Sequence, residues 1–264
     1  MTLAYNLPND IHAIRAAGSK LVMMKNVHEA KFHTILEKIA NIAIDKSQLK
    51  HITYFPIPSK SEIDFRAEAF NTHTILHEVC HSNGPHHVLG HTDVSVKTRL
   101  QELHSGLEEG KADITALYAA PLLVDSGVIT NVSKEEFWVT FLAGIFRTGL
   151  NPSKSLLMVV RFGVREAHGT GLSIALSYFL DKGAVLCSEG KFTVNFEKIQ
   201  SVVGELTHDV LVIQGNGDKK AAQEFVDKWA KLGKEAEEVL GRIKDGGIPV
   251  DVRPHYPVEK ELGL

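Results

Sequence analysis

Two histidines and a glutamate stand close together in the chain, at His77, Glu78 and His81. If this stretch is helical, side chains four positions apart lie within about 6 Å of each other on one face. Both imidazoles can then reach one Zn²⁺ ion at about 2.0–2.1 Å. A carboxylate beside the first ligand can take a proton from water at the metal. The motif therefore predicts one Zn²⁺ ion as cofactor, with His77 and His81 as ligands and Glu78 as catalytic base.

The residues around the motif favour the helix that it needs. From Ser61 to Leu76, apolar residues recur broadly at helical spacing. Asn83, Gly84 and Pro85 follow directly after the second histidine, and residues of these types end helices. The two histidines are therefore expected on the last turns of one helix.

A third ligand is expected because a catalytic zinc ion usually keeps three protein ligands and one open position. Glu108 and Glu109 lie in a later predicted helix, and only one of them can face the metal, since neighbouring residues point about 100° apart. Glu109 has Asp113 one turn further on, where an aspartate can accept the other ring N–H of a ligand histidine. We therefore predict Glu109 as the third ligand and Asp113 as the partner of His77. Glu108 is expected to support the site or to face substrate.

Other histidines offer alternative third ligands in principle: His86, His87, His91 and His104. A three-histidine site that uses His87 or His91 is the metzincin-like alternative. It is less favoured because Pro85 interrupts the connection that would carry the third histidine.

Composition argues against several other classes of protein. The 264 residues carry a net charge of -3, so there is no basic surplus to attract nucleic acid. No apolar run reaches the roughly 18 residues that a membrane span needs. Two cysteines, Cys80 and Cys187, are too few for a disulfide framework and are typical of a reducing cytoplasm. We therefore expect a cytoplasmic protein that binds neither nucleic acid nor membrane.

The pattern of apolar residues predicts a mainly α (α+β) fold. Helices are predicted over 27–44, 61–81, 98–120, 133–148 and 151–182, joined by an irregular connection over 84–97. Pro121 is expected to end the third helix, and Ser133 with Glu136 forms a capping box for the fourth. Short strands are predicted over 184–187, 191–195 and 209–214, with a helix over 197–206 and a charged helix over 218–244. This gives a helical zinc catalytic region, residues 1–183, and a smaller α+β portion, residues 184–264, packed on it or continuous with it.

Two motifs, one with the paired histidines and one with the paired glutamates, together resemble the zinc signatures of the dipeptidyl peptidase III family. The first is His77-Glu78-x-x-His81, and the second is the hexapeptide Glu108-Glu109-Gly110-Lys111-Ala112-Asp113. In that family the second motif typically reads E-E-C-[RK]-A-[ED], and its second glutamate ligates zinc. The resemblance therefore implies the same role for Glu109.

Two further segments extend the resemblance. Asn6-Leu7-Pro8-Asn9 is similar to the family's N-x-P-N segment, which implies that Asn6 and Asn9 hold the free amino terminus of the substrate. Glu166-Ala167-His168 is similar to a segment with a histidine that helps to stabilise the transition state. The resemblance thus implies a catalytic role for His168.

The chain also departs from the family pattern. The typical first motif has one more residue between its histidines, and the shorter form looks like that of bacterial and plant relatives fused behind a Nudix hydrolase domain. Leu172 stands where the peptidases carry an arginine. Family members are two-lobed and much longer, so the chain is expected to be a fragment or a compact relative. Either a missing N-terminal lobe or a homo-oligomer would then complete the cleft.

The function implied by this resemblance is zinc-dependent hydrolysis of peptide bonds, with release of dipeptides from the N-terminus of short peptides. One alternative is a zinc-stabilised binding or regulatory domain without a complete substrate cleft. Another is hydrolysis of a small non-peptide amide or ester. A His/His/Glu set also accepts cobalt or manganese, so the metal itself is an inference from ligand chemistry.

Overall fold

A computed structural model describes residues 25–52, 67–148, 167–249 and 252 of the chain. Within these ranges the fold is mainly helical with two small sheets, which confirms the predicted fold class. Asn6, Asn9, the part of the predicted motif helix before residue 67, the segment 149–166 and nearly all of the C-terminal tail lie outside the described residues.

The described chain contains ten α-helices, one π turn, four strands and two 3₁₀ turns, the latter at Leu49–His51 and Gln101–Leu103. The helices and strands are α1 (Lys25–Lys31), a π turn (Phe32–Leu36), α2 (Glu37–Ala43), α3 (Ala67–Cys80), β1 (His87–Val88), β2 (His91–Ser95), α4 (Val96–Leu100), α5 (His104–Asp125), α6 (Lys134–Thr148), α7 (Ala167–Asp181), β3 (Val185–Ser188), β4 (Lys191–Val194), α8 (Ile199–Asn216), α9 (Lys219–Trp229) and α10 (Lys234–Asp245).

Several predicted elements are confirmed because their local signals are strong. The helix predicted over 27–44 is present as α1, the π turn and α2. The capping box before α6 forms as expected: Glu136 N–H donates to Ser133 Oγ at 3.2 Å, and Ser133 N–H donates to Glu136 Oε2 at 2.6 Å. The strands predicted over 184–187 and 191–195 pair as the antiparallel hairpin β3–β4.

The strand predicted over 209–214 is wrong, because these residues belong to α8. β-branched residues are frequent there and suggested a strand. However, the buried positions Val203, Leu206, Val210 and Ile213 recur every three or four residues, which is the helical period. Tertiary burial along one face therefore outweighs local strand propensity.

Three other boundaries also differ from the prediction. α5 continues through Pro121 to Asp125, since a proline in the last turns costs the helix only one hydrogen bond and its ring is buried here. The charged segment over 218–244 forms two helices, α9 and α10, and Gly233 caps the second. The connection over 84–97 contains the hairpin β1–β2, which pairs His87 with Ser95.

α5 is the central helix of the described fold, since it packs on α3, α7 and α8. α5 and α7 approach very closely at Gly110 and Gly171. A Cβ added at Gly171 would lie 2.6 Å from Gly110 Cα and 2.7 Å from Gly110 N. A Cβ added at Gly106, one turn earlier on α5, would lie 2.9 Å from Thr170 Cγ2. Residues without side chains therefore set the distance between these two helices.

One buried apolar cluster runs from Phe32 near the start of the described chain to Ile248 near its end. It includes residues on both sides of position 184. The division into residues 1–183 and 184–264 stays a prediction. Within the described ranges, no helix combines the length and apolar character that a membrane crossing requires.

We expect Gly171→Ala to lower the free energy of unfolding by about 1–3 kcal/mol, because the new methyl group would force α5 and α7 apart. Urea unfolding of the purified chain measures this. Gly241→Ala in α10 is the matched control, since no described atom lies within 4 Å of a Cβ there. The control should gain up to about 1 kcal/mol from helix propensity, and equal losses in both variants would contradict close helix packing.

Candidate metal centre

Side chains from two packed helices meet at a small triangle of donor atoms. His77 lies in the last turn of α3, and His81 directly follows its last residue, Cys80; their Nε2 atoms are 3.1 Å apart. Glu109 comes from α5, and its Oε2 lies 3.2 Å from His77 Nε2 and 3.5 Å from His81 Nε2. All three side chains are at most 17% exposed. The structure thus brings together the three predicted ligands.

The size of this triangle fits a metal ion. Ligand atoms at about 2.0–2.1 Å from a tetrahedral zinc ion lie roughly 3.3 Å from each other. The three measured separations, 3.1, 3.2 and 3.5 Å, bracket that value. Glu109 Oε2 is buried and accepts no well-directed hydrogen bond, although imidazole nitrogens surround it. Nitrogen and carboxylate donors that converge on one point in this way are typical of a cation site.

Charge also favours a dication at this position. Glu108, Glu109 and Asp113 bring three carboxylates, against the single ammonium of Lys111. Burial alone would raise the pKa of the Glu109 carboxyl, but His168, His77 and His81 together hold it far below its usual range. The cluster is therefore anionic unless a cation or protons compensate it.

Asp113 orients His77. The His77 Nδ1–H donates to Asp113 Oδ1 at 2.7 Å, which leaves Nε2 to face Glu109. Burial disfavours the charged imidazole, yet the Asp113 carboxylate, followed by Glu109, raises the pKa of His77 to about 10. His73, one turn earlier on α3, places Nε2 3.4 Å from the same Asp113 oxygen. The predicted contact between Asp113 and His77 is present in the structure.

Glu108 supports the second histidine. Its Oε1 lies 3.2 Å from His81 Nδ1, and Gln214 Nε2 on α8 donates to its Oε2 at 3.0 Å. Burial alone would raise the pKa of Glu108, but His81 and then Lys111 outweigh it and lower the pKa to about 2. Each histidine of the motif therefore has its own carboxylate behind it. Of the two sequence alternatives for Glu108, this arrangement corresponds to support of the site.

Lys111 ties the end of the motif helix to α5. Its Nζ lies 2.8 Å from Glu108 Oε1 and donates to the carbonyl oxygens of Cys80 at 2.8 Å and Asn83 at 2.7 Å. Carbonyls at the end of a helix have no partner inside it, and the ammonium supplies a donor to one at the end of α3 and to one just beyond it. Lys111 is 1% exposed. The end of α3, next to His81, is thus linked to α5, which carries Glu109.

His168 enters from the first turn of α7. Its Nε2 lies 3.1 Å from Glu109 Oε2, and its ring stacks on that of His77 with centroids 6.0 Å apart. Donor atoms of His77, Glu109 and His168 all lie within 4.8 Å of one another, so this trio is a second set that can hold a metal. The His168 side chain is 39% exposed, unlike the 10% of His81.

Glu78 lies beside the cluster and lines a cavity of about 180 Å³ that also contacts His77 and His168. On α3 it directly follows His77, about 100° further around the helix, and its side chain lines this cavity. A group in this position can contact both a metal-site water and a bound substrate.

The sequence pattern missed several supporting side chains. His87 completes the spacing of a three-histidine motif through Gly84, but it lies in β1 rather than in a helix. Lys111 belongs to the acidic motif, so the sequence contains a signal for its position. Gln214 has no such signal, because the predicted strand over 209–214 does not place it near Glu108.

Comparisons with known proteins show which sequences and folds the chain is similar to. No model of a known protein family matches the chain. A protein named Nudix hydrolase 3 from Arabidopsis thaliana is 40% identical over 267 residues, which are 99% of this chain and 31% of that protein. The structure of dipeptidyl peptidase III from Caldithrix abyssi matches with a TM-score of 0.81 and 38% identity, over 99% of this chain and 46% of that one. The chain shares the fold of that enzyme's catalytic lobe.

A second structure, dipeptidyl-peptidase III from Corallococcus sp. strain EGB, has the same TM-score of 0.81 at 36% identity, and the match covers 98% of this chain and 44% of that one. The chain therefore spans less than half the length of the proteins that it matches. Its fold is that of part of a dipeptidyl peptidase III, and the name of the plant protein agrees with the resemblance to Nudix-fused relatives.

We expect Lys111→Met to lower the free energy of unfolding of the metal-free chain by roughly 3–5 kcal/mol, because Glu108 and the end of α3 lose a buried cation. Denaturant unfolding measures the loss. Lys134→Met is the matched control: Lys134 Nζ lies 2.6 Å from Asp125 Oδ1, but that pair is solvent-exposed. An exposed pair contributes at most about 1 kcal/mol to stability. Similar losses of unfolding free energy in the two variants would show that Lys111 does not stabilise the packing of α3 on α5.

Proposed function

We propose that the chain is the metal-binding part of a zinc peptidase of the dipeptidyl peptidase III family. It would hydrolyse peptide bonds and release dipeptides from the N-terminus of short peptides. The observation that carries the proposal is the triangle of His77, His81 and Glu109 donors, with Glu78 on the adjoining cavity, in a chain with this fold.

The three donors would hold one Zn²⁺ ion, and each has support behind it. Asp113 and Glu108 keep the Nδ1 protons of His77 and His81, so both Nε2 lone pairs are directed at the same point. When bound, zinc lowers the pKa of water toward about 7 and polarises a carbonyl. A preformed pair of imidazoles and a carboxylate suits that ion.

Glu78 would act as general base and then as general acid. It lines the cavity in which a peptide must lie to reach the metal centre. There it can take a proton from the attacking water and pass it to the leaving amine. A site that only stabilises structure has no use for a carboxylate in this place.

His168 would donate a hydrogen bond to the oxyanion that develops on the scissile carbonyl. Its larger exposure and its position on the rim of the cavity favour contact with substrate over a fixed place among the ligands. Its alternative role is that of the second imidazole ligand, in place of His81. The variants described below separate these two roles.

The remaining parts of the proposal concern the cleft and the cell. Asn6 and Asn9 would hold the free amino terminus of the peptide, and dipeptide release depends on that contact. A further lobe or a second copy of the chain would cover the cleft. Cys80 and Cys187 are free thiols, which suits a reducing cytoplasm.

The second candidate function is a zinc-stabilised binding domain without turnover. It needs only the donor triangle and the carboxylates behind the two histidines. A binding domain gives no role to Glu78, so a Glu78 variant can distinguish the two functions.

Glu78→Gln should lower hydrolysis of short peptides and dipeptidyl arylamides by at least about 100-fold, because the general base is lost. Bound zinc, measured by metal analysis of the same sample, should be unchanged. Glu68→Gln, a carboxylate change at the other end of α3, serves as control and should keep activity. Full zinc occupancy without turnover in the unmodified chain would support the binding-domain function instead.

His81→Ala should weaken zinc binding by more than roughly 100-fold. Loss of a residue that only hydrogen-bonds to a ligand typically weakens metal binding by about 10- to 100-fold. His168→Ala should leave zinc affinity nearly unchanged and lower kcat by about 10²- to 10³-fold, since it removes an oxyanion donor. Competition with a zinc chelator gives the affinities. If His168→Ala weakened zinc binding more than His81→Ala did, His168 would be the ligand instead.

A further inference from the structure

The cavity beside the metal centre is formed mainly by three helices, and Asp113 of α5 completes its lining. α3 contributes residues at helical spacing from Phe70 to Glu78, and α7 contributes His168 and Leu172. α6 contributes a face that includes Phe141 and Gly144. Polar side chains outside the metal centre, Thr140 and Arg147 of α6 among them, also line the cavity, but most of its exposed wall area is apolar.

Gly144 leaves the space that becomes the cavity. Apart from the two adjoining residues and the backbone of its own helix, no described atom lies within 4 Å of a Cβ built at this position. The residue lies inside α6, where glycine makes a helix less stable than alanine or leucine would. The packing of α6 thus does not require a glycine here, whereas the open volume does.

Aromatic rings dominate the wall. His73 and Phe141 meet edge to face with ring centroids 5.2 Å apart. The guanidinium carbon of Arg147 lies 5.5 Å from the centre of the Phe70 ring, so one face of that ring is already covered. Edges and faces of aromatic rings attract a further ring in offset or edge-to-face geometry.

The volume suits one such ring. An apolar cavity of about 150 Å³ inside a protein binds benzene, and the cavity here measures about 180 Å³. A ring inserted from the substrate would be close to His77, Glu78 and His168, because these side chains line the same cavity. Its peptide bond would then lie at the metal centre.

We propose that this cavity is a subsite for an aromatic side chain of the peptide substrate, on a residue that flanks the scissile bond, and that Gly144 sets its size. The inference rests on the proposed peptidase function. It adds a preference for phenylalanine or tyrosine over smaller and over aliphatic side chains at that position.

The test measures how fast the zinc-loaded full chain cleaves different tetrapeptides. Tetra-alanine is compared with peptides that carry phenylalanine or leucine at the second or the third position, on either side of the bond whose cleavage releases a dipeptide. Products are identified by mass spectrometry. We expect kcat/KM for one of the phenylalanine peptides to exceed that for tetra-alanine by on the order of 100-fold, a ratio that apolar pockets commonly reach.

Gly144→Leu fills the cavity with its own side chain and should bring the phenylalanine-to-alanine ratio close to unity. Gly241→Leu is the control, because Gly241 is also a helical glycine with open space around it and lies in α10, outside the cavity. The control should keep the full ratio. A ratio that survives in Gly144→Leu, or leucine peptides cleaved faster than phenylalanine peptides, would overturn the proposal.

A complete lack of hydrolysis would argue against the peptidase function but would still leave the subsite testable. Calorimetry with the same peptides and the zinc-loaded Glu78→Gln chain measures binding without turnover. Tighter binding of a phenylalanine peptide, abolished by Gly144→Leu and kept by Gly241→Leu, would support the subsite by itself. Equal affinities for the phenylalanine and alanine peptides would reject it.

Discussion

The backbones of α5 and α7 approach each other at Gly110 and Gly171 more closely than side chains would permit, and the geometry of the site depends on that contact. Glu109 immediately precedes Gly110, and His168 comes one turn before Gly171. The helix contact therefore sets the 3.1 Å between Glu109 Oε2 and His168 Nε2. The motif that the chain resembles typically has cysteine at position 110, where a Cβ would here lie 3.0 Å from Gly171 Cα. The two glycines of this chain permit a distance between α5 and α7 that a larger side chain at either position would increase.

Burial of so many charged groups is unfavourable unless each has a partner, and the site shows how the partners are distributed. Asp113 is paired with His77, and Glu108 is shared by His81, Lys111 and Gln214. Glu109 Oε2 remains without a well-directed hydrogen bond. The outer carboxylates are thus neutralised within the protein, and the inner one is left for a cation. This division separates the groups that hold the ligands in place from the group that ligates.

The sequence could predict those parts of the fold and site that depend on short spacings. The i, i+4 relation at the end of α3, the capping box at Ser133 and Glu136, and the relation between Glu109 and Asp113 are all local, and the structure contains each of them. Contacts between distant segments could not be read in this way. Gln214 reaches Glu108 across 106 positions, and the close approach at Gly171 depends on how two helices pack. The catalytic and ligand roles of the site residues stay predictions.

The raised pKa of His77 has a consequence for how a metal ion would enter. With a pKa of about 10, its imidazole carries two protons at neutral pH as long as no metal is bound. Ligation needs an unprotonated Nε2, while Asp113 retains the proton on Nδ1. Loading is then an exchange reaction, in which a dication arrives as a proton leaves for the surrounding buffer. Acidification opposes the exchange and alkaline conditions favour it, so the occupancy of the centre is tied to the proton concentration around the protein.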